Sequence, residues 1–355
     1  MSVASQDKIV LVLGGGIAGV TAALDLAEEG LRVVLVEQGD SLGGRAGHLA
    51  CMALETCQKC NGCLVEPRLV KALNHPRLEI MTRTSLQTAN PGERGFKATL
   101  LRATGSGPEK LELEAQAVVL ATGFRPFPAK NKPRLGYGLL ENVVTVLDLD
   151  QELRRTGRIC RPSDGRPPQK VAFVQCVGSR DRAGHNYCSR ICCGFALRMG
   201  RMLHHRFGTE VTVFYMDIQN FGHVFEPALA AAREELSLVR SLPSDVLPGP
   251  EGQVVARYCA QPGRPPQDEP FDLLILSVGL TPGDSNPEVS RLFNLELNEH
   301  GFFSEAALEE APARSTGLGA GIFLAGTVVR PMDVAEVVAH AQRAAQETIR
   351  YLEEI

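Results

Sequence analysis

Tryptophan is absent from this 355-residue sequence, and aromatic residues make up only 5% of it. No apolar run reaches the roughly 18–20 residues that a membrane-spanning helix needs, so we expect a chain that does not itself cross a bilayer. An excess of positive charge is missing as well, because 37 Lys and Arg face 41 Asp and Glu and the net charge is −4. Nucleic-acid binding calls for a basic surface, so no nucleic-acid partner is expected.

The composition that remains is that of a globular chain, with 44% hydrophobic and 22% charged residues. At about 150 residues per domain, the length predicts two domains. The polar start Met1–Lys8 lacks the apolar segment of a secretory signal, and we therefore expect a cytoplasmic protein. In that reducing compartment, the ten cysteines are expected to be metal ligands or redox groups rather than disulfides.

A strand–helix–strand pattern occupies residues 9–36, and a glycine-rich turn follows its first apolar strand. Gly14, Gly16 and Gly19 have the G-x-G-x-x-G spacing, which permits a tight turn, close approach to a pyrophosphate and close packing of helix on strand. Glu37 follows the second strand, where a carboxylate can bind ribose hydroxyls. This pattern predicts a dinucleotide-binding unit.

Three further segments resemble two-dinucleotide-domain flavoproteins, namely Leu42–Arg45, Ala121–Gly123 and Phe323–Gly326. The resemblance implies that the first unit binds FAD rather than NAD. Thr327 stands where many such flavoproteins have an aspartate, and we expect Asp333 to reach the ribityl chain instead. The cofactor-binding candidates are Gly14, Gly16, Ala18, Gly19, Glu37, Gly44, Arg45, Thr122, Gly123, Gly326, Asp333 and Val334.

Eight of the ten cysteines fall into two groups of four. The first group, C-x5-C-x2-C-x2-C, is Cys51, Cys57, Cys60 and Cys63, and the second, C-x11-C-x3-C-C, is Cys176, Cys188, Cys192 and Cys193. Four thiolates suit a [4Fe-4S] cluster, and four thiolates can also bind zinc tetrahedrally. Iron is favoured beside a flavin, because flavins exchange single electrons with iron–sulfur clusters. The sequence thus predicts two [4Fe-4S] clusters, with zinc as the alternative.

The second half of the chain has a nucleotide-domain pattern without a phosphate loop. Its strand at Val171–Val174 leads into Gln175–Asp181, which contains no G-x-G-x-x-G. A cysteine pair at the position of a redox disulfide is also missing. We therefore do not expect direct hydride delivery from NAD(P)H to this chain.

The sequence closely resembles the A subunit of heterodisulfide reductase from Ile9 to Ala345. The matching segments are Val174–Asp181, Tyr187–Cys193, Tyr215–Ile218 with Phe221–Gly222, Val278–Pro282 and Arg330–Val334. This resemblance implies an α/β, thioredoxin-reductase-like flavoprotein with two Rossmann-like dinucleotide-binding domains. The FAD domain is expected at residues 1–160 and 291–355, with an inserted region at 161–290. The family also implies that Cys176, Cys188, Cys192 and Cys193 hold a [4Fe-4S] cluster.

The methanogen subunit carries an extra N-terminal domain and ferredoxin-like inserts, neither of which we expect in this chain. A short form of this kind resembles the A subunit of sulfur-oxidising heterodisulfide-reductase-like complexes. The first cysteine group favours that type. It implies an electron-transfer role, a homodimer, partners resembling the B and C subunits and a lipoate-binding protein. Arg198 stands where bifurcating members have a lysine near the flavin, which disfavours bifurcation and makes Arg198 the candidate catalytic residue.

Three other functions remain open at this point. The first is the A subunit of the membrane-associated quinone-interacting complex of sulfate reducers. The second is a stand-alone NAD(P)H-dependent reductase, which the missing phosphate loop disfavours. The third is a zinc-stabilised scaffold without turnover.

Overall fold

The structure is a computed structural model, which describes residues 8–92, 95–182, 184–219, 225–261, 263–305 and 321–355. Its strands in chain order are β1 Ile9–Leu13, β2 Arg32–Val36, β3 Leu78–Met81, β4 Thr84–Gly92, β5 Gly95–Thr104, β6 Gly107–Ala115, β7 Ala117–Leu120, β8 Phe124–Pro126, β9 Val143–Thr145, β10 Lys170–Val177, β11 Glu210–Phe214, β12 Ser237–Val239, β13 Asp245–Pro248, β14 Val254–Tyr258, β15 Gln267–Phe271, β16 Leu273–Val278, β17 Leu280–Pro282 and β18 Ile322–Leu324. Its helices are α1 Ile17–Glu28, α2 Val65–Leu73, α3 Val146–Thr156, α4 Cys192–Phe207, α5 Phe225–Glu235, α6 Asn286–Phe293 and α7 Val334–Glu354.

The chain divides into two compact units. Unit 1 comprises Met1–His48, Asn61–Arg125 and Pro282–Ile355, and unit 2 comprises Leu49–Cys60 and Pro126–Thr281. Residues 1–7 of the polar start and residues 221–222 of the family motif lie outside the described residues.

Unit 1 is built on a five-stranded parallel sheet in the order β18-β7-β1-β2-β3. The central strands β1 and β7 are apolar throughout and almost fully buried, as parallel strands covered on both faces must be. Helix α1 begins directly after Gly16, inside the predicted strand–helix–strand pattern. A separate antiparallel sheet, β4-β5-β6, contains the hairpin formed by β5 and β6.

Unit 2 repeats the parallel arrangement with the order β12-β11-β10-β16-β9, and it adds an antiparallel sheet, β13-β14-β15. Two hydrophobic clusters lie on opposite faces of the parallel sheet. Helices α3, α4 and α5 pack against one face around Phe173, and the antiparallel sheet covers the other face around Phe214 and Phe271. Each unit thus has the parallel sheet expected of a Rossmann-like domain.

The unit boundaries differ from the expected positions at 160/161 and 290/291. The larger segment of unit 2 begins at Pro126, and it includes β9, which pairs with β16 through Val143 and Leu274. Strand β9 has only three residues, which is too short for the sequence pattern to indicate a strand. Unit 2 also ends at Thr281, before α6.

The segment Leu49–Cys60 is the other departure, since it belongs to unit 2 although it is surrounded in sequence by unit 1. Met52 is 2% exposed and lies in the hydrophobic cluster with α3 and α4. The Ala50 N–H donates to the buried Asp150 carboxylate of α3 at 3.2 Å, and Arg154 of α3 donates to the Leu49 carbonyl at 3.1 Å. These contacts fix the chain just before and after Cys51.

Candidate functional site

The glycine-rich turn of unit 1 is built as a dinucleotide cradle. Gly14 has φ +110°, and a Cβ at this position would lie 2.3 Å from the Ala121 carbonyl oxygen. At Gly19 an added Cβ would lie 1.8 Å from the Gly14 oxygen, so helix and strand approach too closely for any side chain. Gly16 differs, because no atom lies within 4 Å of its added Cβ. Open space at the N-terminus of α1 is what a bound pyrophosphate requires.

The neighbouring predicted segments lie around this turn. The N–H of Gly43 donates to the Gly15 carbonyl at 2.8 Å, and an added Cβ on Gly44 would be 3.1 Å from the Gly16 Cα. Gly123, with φ +78°, has open space at its Cβ position as well. The structure therefore brings together two sequence-predicted glycine segments, and the residues present fit a dinucleotide cofactor.

Glu37 accepts main-chain hydrogen bonds from Gly15 at 2.7 Å and from Gly39 at 2.6 Å. Its carboxylate is thereby fixed directly beside the glycine turn, where the sequence predicts ribose binding. The role of Arg45, which is exposed, stays a prediction.

The C-terminal flavin motif contacts α1 and α7. Gly326 has φ +75°, and its added Cβ would lie 2.6 Å from the Ala18 Cβ, which explains the need for glycine beside that alanine. Its N–H donates to Nδ1 of His340 at 3.0 Å. Asp333 caps α7 by accepting from the Glu336 N–H at 2.9 Å. This cap gives Asp333 a structural role, and its contact with the ribityl chain stays a prediction, as does a contact by Val334.

The second cysteine group lies at the carboxyl end of the unit 2 sheet. Cys176 occupies a bulge between β10 and β16 and has φ +59°, a left-handed conformation that non-glycine residues rarely adopt. Cys192 and Cys193 are the first two residues of α4, where the unpaired main-chain N–H groups favour negative charge. The Cys192 thiol donates to the Val278 carbonyl of β16 at 3.9 Å.

Cys188 is held between two anchored neighbours. The Tyr187 hydroxyl donates to the Leu280 carbonyl at 3.0 Å, and the fully buried Ser189 hydroxyl accepts the Leu280 N–H at 2.8 Å. The Cys188 sulfur itself accepts the Arg190 N–H at 3.3 Å. Hydrogen bonds to sulfur are one of the protein's means of tuning an iron–sulfur cluster.

The four thiols of this group share one electrostatic environment. Burial first, and then the charges of Cys193 and Cys188, raise the pKa of Cys176 to about 11, while Arg180 acts in the opposite direction. Burial first, and then the other three cysteines, raise the pKa of Cys192 above its usual range. Nevertheless, no three His, Cys, Asp or Glu side chains of the described residues form a group that could hold a metal ion. By their chemistry, four cysteine thiolates are the donors that a [4Fe-4S] cluster uses. That these four cysteines bind one cluster stays a prediction.

The first cysteine group shows the same local geometry at Cys57. Its sulfur accepts the Lys59 N–H at 3.3 Å, and Lys59 has φ +54°. Around Cys188, the donor Arg190 likewise has φ +64°. Cys57 is exposed and Cys60 half-buried, both in unit 2, whereas Cys63 belongs to unit 1. A shared cluster for this group stays a prediction.

Arg198 contacts the first cysteine segment, a relationship that sequence reasoning missed. Its Nε donates to the Gln58 carbonyl at 3.0 Å, and the Gln58 side chain donates to the Arg198 carbonyl at 3.0 Å. The two residues are 140 positions apart, and no local signal joins them. The predicted contact of Arg198 with the flavin is not tested by this geometry.

Comparison with known proteins agrees with this architecture. A family model described as pyridine nucleotide-disulphide oxidoreductase matches residues 8–169. Thioredoxin reductase of Lactococcus lactis has a similar structure, with a TM-score of 0.63, 18% identity, and coverage of 98% of this chain and 100% of that one. Thioredoxin reductase of T. acidophilum gives a TM-score of 0.60 at 15% identity, covering 98% and 99%. The predicted fold class is confirmed.

The sequence relatives are subunits of heterodisulfide reductases. The iron-sulfur A subunit of the CoB–CoM heterodisulfide reductase of Methanocaldococcus jannaschii is 31% identical over 96% of this chain and 63% of its own length. The A subunit of the ferredoxin:CoB-CoM heterodisulfide reductase of Methanosarcina mazei is 27% identical over 98% of this chain and 53% of its own. The chain thus spans between half and two thirds of these relatives. Over almost all of its own length the chain is similar to these heterodisulfide reductase A subunits, and the predicted resemblance is confirmed.

Proposed function

We propose that this chain is the FAD and iron–sulfur electron-transfer subunit of a heterodisulfide-reductase-like complex. The observation that carries the proposal is the position of two cysteines. Cys176 lies near the carboxyl end of β10, and Cys192 begins α4 and contacts the Val278 carbonyl at the carboxyl end of β16. In parallel α/β sheets, ligands bind at the carboxyl ends of the strands. In unit 2, the carboxyl ends of the strands carry thiols in place of a glycine-rich phosphate loop.

The two units divide the work in this proposal. Unit 1 binds FAD through Gly16 and the N-terminus of α1, with Glu37 on the ribose, and Gly123 leaves room for the cofactor. FAD exchanges electrons in pairs or singly, and a [4Fe-4S] cluster exchanges one at a time. Unit 2 holds one cluster through Cys176, Cys188, Cys192 and Cys193. The residues of the first group, Cys51, Cys57, Cys60 and Cys63, hold a second cluster.

Two features of the site support electron transfer over hydride transfer from a nicotinamide. The connection between β10 and α4, residues 178–191, contains no G-x-G-x-x-G. An added Cβ on Gly178 would lie 2.0 Å from the Phe127 ring, so that a side chain fills the space next to the loop. The relatives' names, one of which includes the words iron-sulfur, support the same assignment.

The biological setting that we propose is cytoplasmic sulfur oxidation. Partners resembling the B and C subunits act on a sulfur substrate, which a lipoate-binding protein carries, and this chain, as a homodimer, collects the electrons. Arg198 lies near the flavin in this proposal and places a permanent positive charge there. The second candidate is the A subunit of a membrane-associated quinone-interacting complex. No helix among the residues that the structure describes is long and apolar enough to span a membrane.

The test is reduction of the anaerobically purified protein, followed by its visible spectrum. We expect dithionite to bleach the flavin while NADH and NADPH leave it oxidised. Rapid bleaching by either nicotinamide would contradict the proposal and favour a stand-alone reductase. Affinity purification from the native host separates the two complexes: B- and C-like subunits with a lipoate-binding protein support sulfur oxidation, whereas a membrane cytochrome selects the quinone-interacting complex.

A further inference from the structure

Two polar side chains are buried without partners beneath the second cysteine group. Gln175 is 2% exposed and Ser277 is 1% exposed. Neither the two polar atoms of the Gln175 amide nor the Ser277 hydroxyl has a hydrogen-bond partner among the described residues. Native proteins pair nearly all buried polar atoms, because leaving them unpaired costs free energy. The three atoms therefore lack a polar partner that the described residues do not supply.

Strand alternation places both side chains on the same face of the sheet. In β10, Val171 and Phe173 lie in the cluster packed by α4, and in β16 the same is true of Leu273 and Ile275. The intervening residues of both strands lie in the cluster on the opposite face. By this alternation, the side chains two positions after Phe173 and Ile275 point towards α4. These side chains are Gln175 and Ser277.

Gln175 adjoins a cysteine in the sequence, and Ser277 adjoins a residue that contacts one. Gln175 precedes Cys176, at the bulge where the pairing of β10 with β16 shifts register. Ser277 precedes Val278, whose carbonyl accepts the Cys192 thiol. The two unpaired groups thus lie at the ends of adjacent strands, on the side from which α4 presents its first residues.

We propose that the Gln175 amide and the Ser277 hydroxyl donate hydrogen bonds to sulfur atoms of the cluster held by Cys176, Cys188, Cys192 and Cys193. This inference rests on the proposed function, since it requires that cluster. An amide nitrogen offers two donors and a hydroxyl offers one. One-electron reduction adds negative charge to the cluster sulfurs, so donors aimed at them stabilise the reduced form. The two residues therefore raise the reduction potential of this cluster.

The test is a redox titration of the whole protein, monitored by the electron paramagnetic resonance signal of the reduced cluster. Gln175→Leu and Ser277→Ala remove the donors while keeping the sites filled. Each is expected to lower the midpoint potential, and together they should change the reduction equilibrium at least tenfold, about 59 mV for one electron. Ser277→Thr keeps a hydroxyl and is expected to restore the wild-type potential.

Thr21 provides a matched control in unit 1. Its hydroxyl is likewise buried and unpartnered among the described residues, but it lies on α1. Thr21→Val should leave the cluster potential unchanged. Unchanged potentials in both Gln175→Leu and Ser277→Ala, with iron retained, would overturn the inference and leave a buried water as the partner of these groups. A wild-type protein without any cluster signal would instead contradict the proposed function itself.

Discussion

Arg198 and Gln58 exchange hydrogen bonds in both directions, each donating from its side chain to the main-chain carbonyl of the other at 3.0 Å. Gln58 lies between Cys57 and Cys60, and Arg198 lies on α4, which begins at Cys192. Helix α4 therefore carries two predicted ligands of one cluster, Cys192 and Cys193. Through Arg198 it also contacts the loop that carries two predicted ligands of the other cluster, Cys57 and Cys60. Within unit 2, this arrangement connects the second cysteine group with the segment from Cys57 to Cys60.

We predict that Arg198→Ala loosens the loop from Cys57 to Cys60. One hydrogen bond contributes about 1 kcal/mol, which corresponds to roughly a fivefold increase in loop opening. The alkylation rates of Cys57 and Cys60 in metal-free protein, measured by mass spectrometry, should rise by that factor. Arg201→Ala is the control, since Arg201 pairs with Glu235 at 2.7 Å instead. Equal alkylation rates in the wild type and both variants would show that the contact does not restrain the loop.

Gly16 and Gly19 should respond differently to substitution. Gly16→Val is expected to fold, because the added Cβ meets no atom within 4 Å and the local backbone is extended, but to lose most of its FAD. Gly19→Val is expected to unfold, because its Cβ would lie 1.8 Å from the Gly14 oxygen. Circular dichroism and flavin absorbance of the purified variants measure the two effects. A Gly16→Val protein with full FAD content would refute the placement of the pyrophosphate.

The two clusters should be separable by mutation. Cys192→Ser is expected to remove about four iron atoms per chain, the content of one cubane, while FAD stays bound. Cys60→Ser should remove about four different iron atoms, for the same reason. Iron content and flavin content are measured on anaerobically prepared protein. Cys259, which is exposed and outside both groups, is the control, and Cys259→Ser should lose no iron.

If the wild type held a single cubane and Cys60→Ser left its iron untouched, the prediction of a cluster at the first cysteine group would be wrong. The same result would leave the Cys192 site intact, because that site uses ligands on β10, the following loop and α4.

The buried carboxyl of Asp150 should make stability pH-dependent. Burial raises its pKa from 3.8 to about 6, against the opposing effects of the Ala50 N–H and Arg154. Between these two values the folded state keeps a proton that the unfolded state has lost. The contribution of Asp150 to the free energy of unfolding therefore falls as the pH rises from about 4 to about 6.

Asp150→Asn keeps an acceptor for Ala50 and removes this titration. At pH 8 the variant should be more stable than the wild type, by at most about 3 kcal/mol, and the difference should vanish near pH 4. Urea unfolding of metal-free protein at the two pH values measures it. A stability difference that is the same at both pH values would show that Asp150 does not titrate in this way.

The sequence predicted those parts of the fold whose signals are local. The glycine turn at Gly14, the helix after it and the acidic residue Glu37 all follow from spacing within one strand–helix–strand unit. The assignment of Leu49–Cys60 to unit 2 could not be predicted, since it depends on contacts of Met52 and Ala50 with helices about a hundred or more residues away.

The site was predictable to a similar degree. Cysteine spacing indicated the groups, and the mutual effects on the pKa of Cys192 agree with the neighbourhood predicted for the second group. Gln175 carried a signal that spacing rules pass over, namely an amide that directly follows the apolar run Val171–Val174 within β10. Ser277 gave no such signal, because its unpaired state appears only in the folded packing of β16.

We propose above all that the chain carries both FAD and iron–sulfur clusters. The visible spectrum of anaerobically purified protein, together with flavin, iron and zinc analysis, tests this most directly. We predict a brown protein with one FAD and about eight iron atoms per chain, as two four-iron clusters require, and no zinc. A colourless protein that contains zinc and neither iron nor flavin would contradict the account.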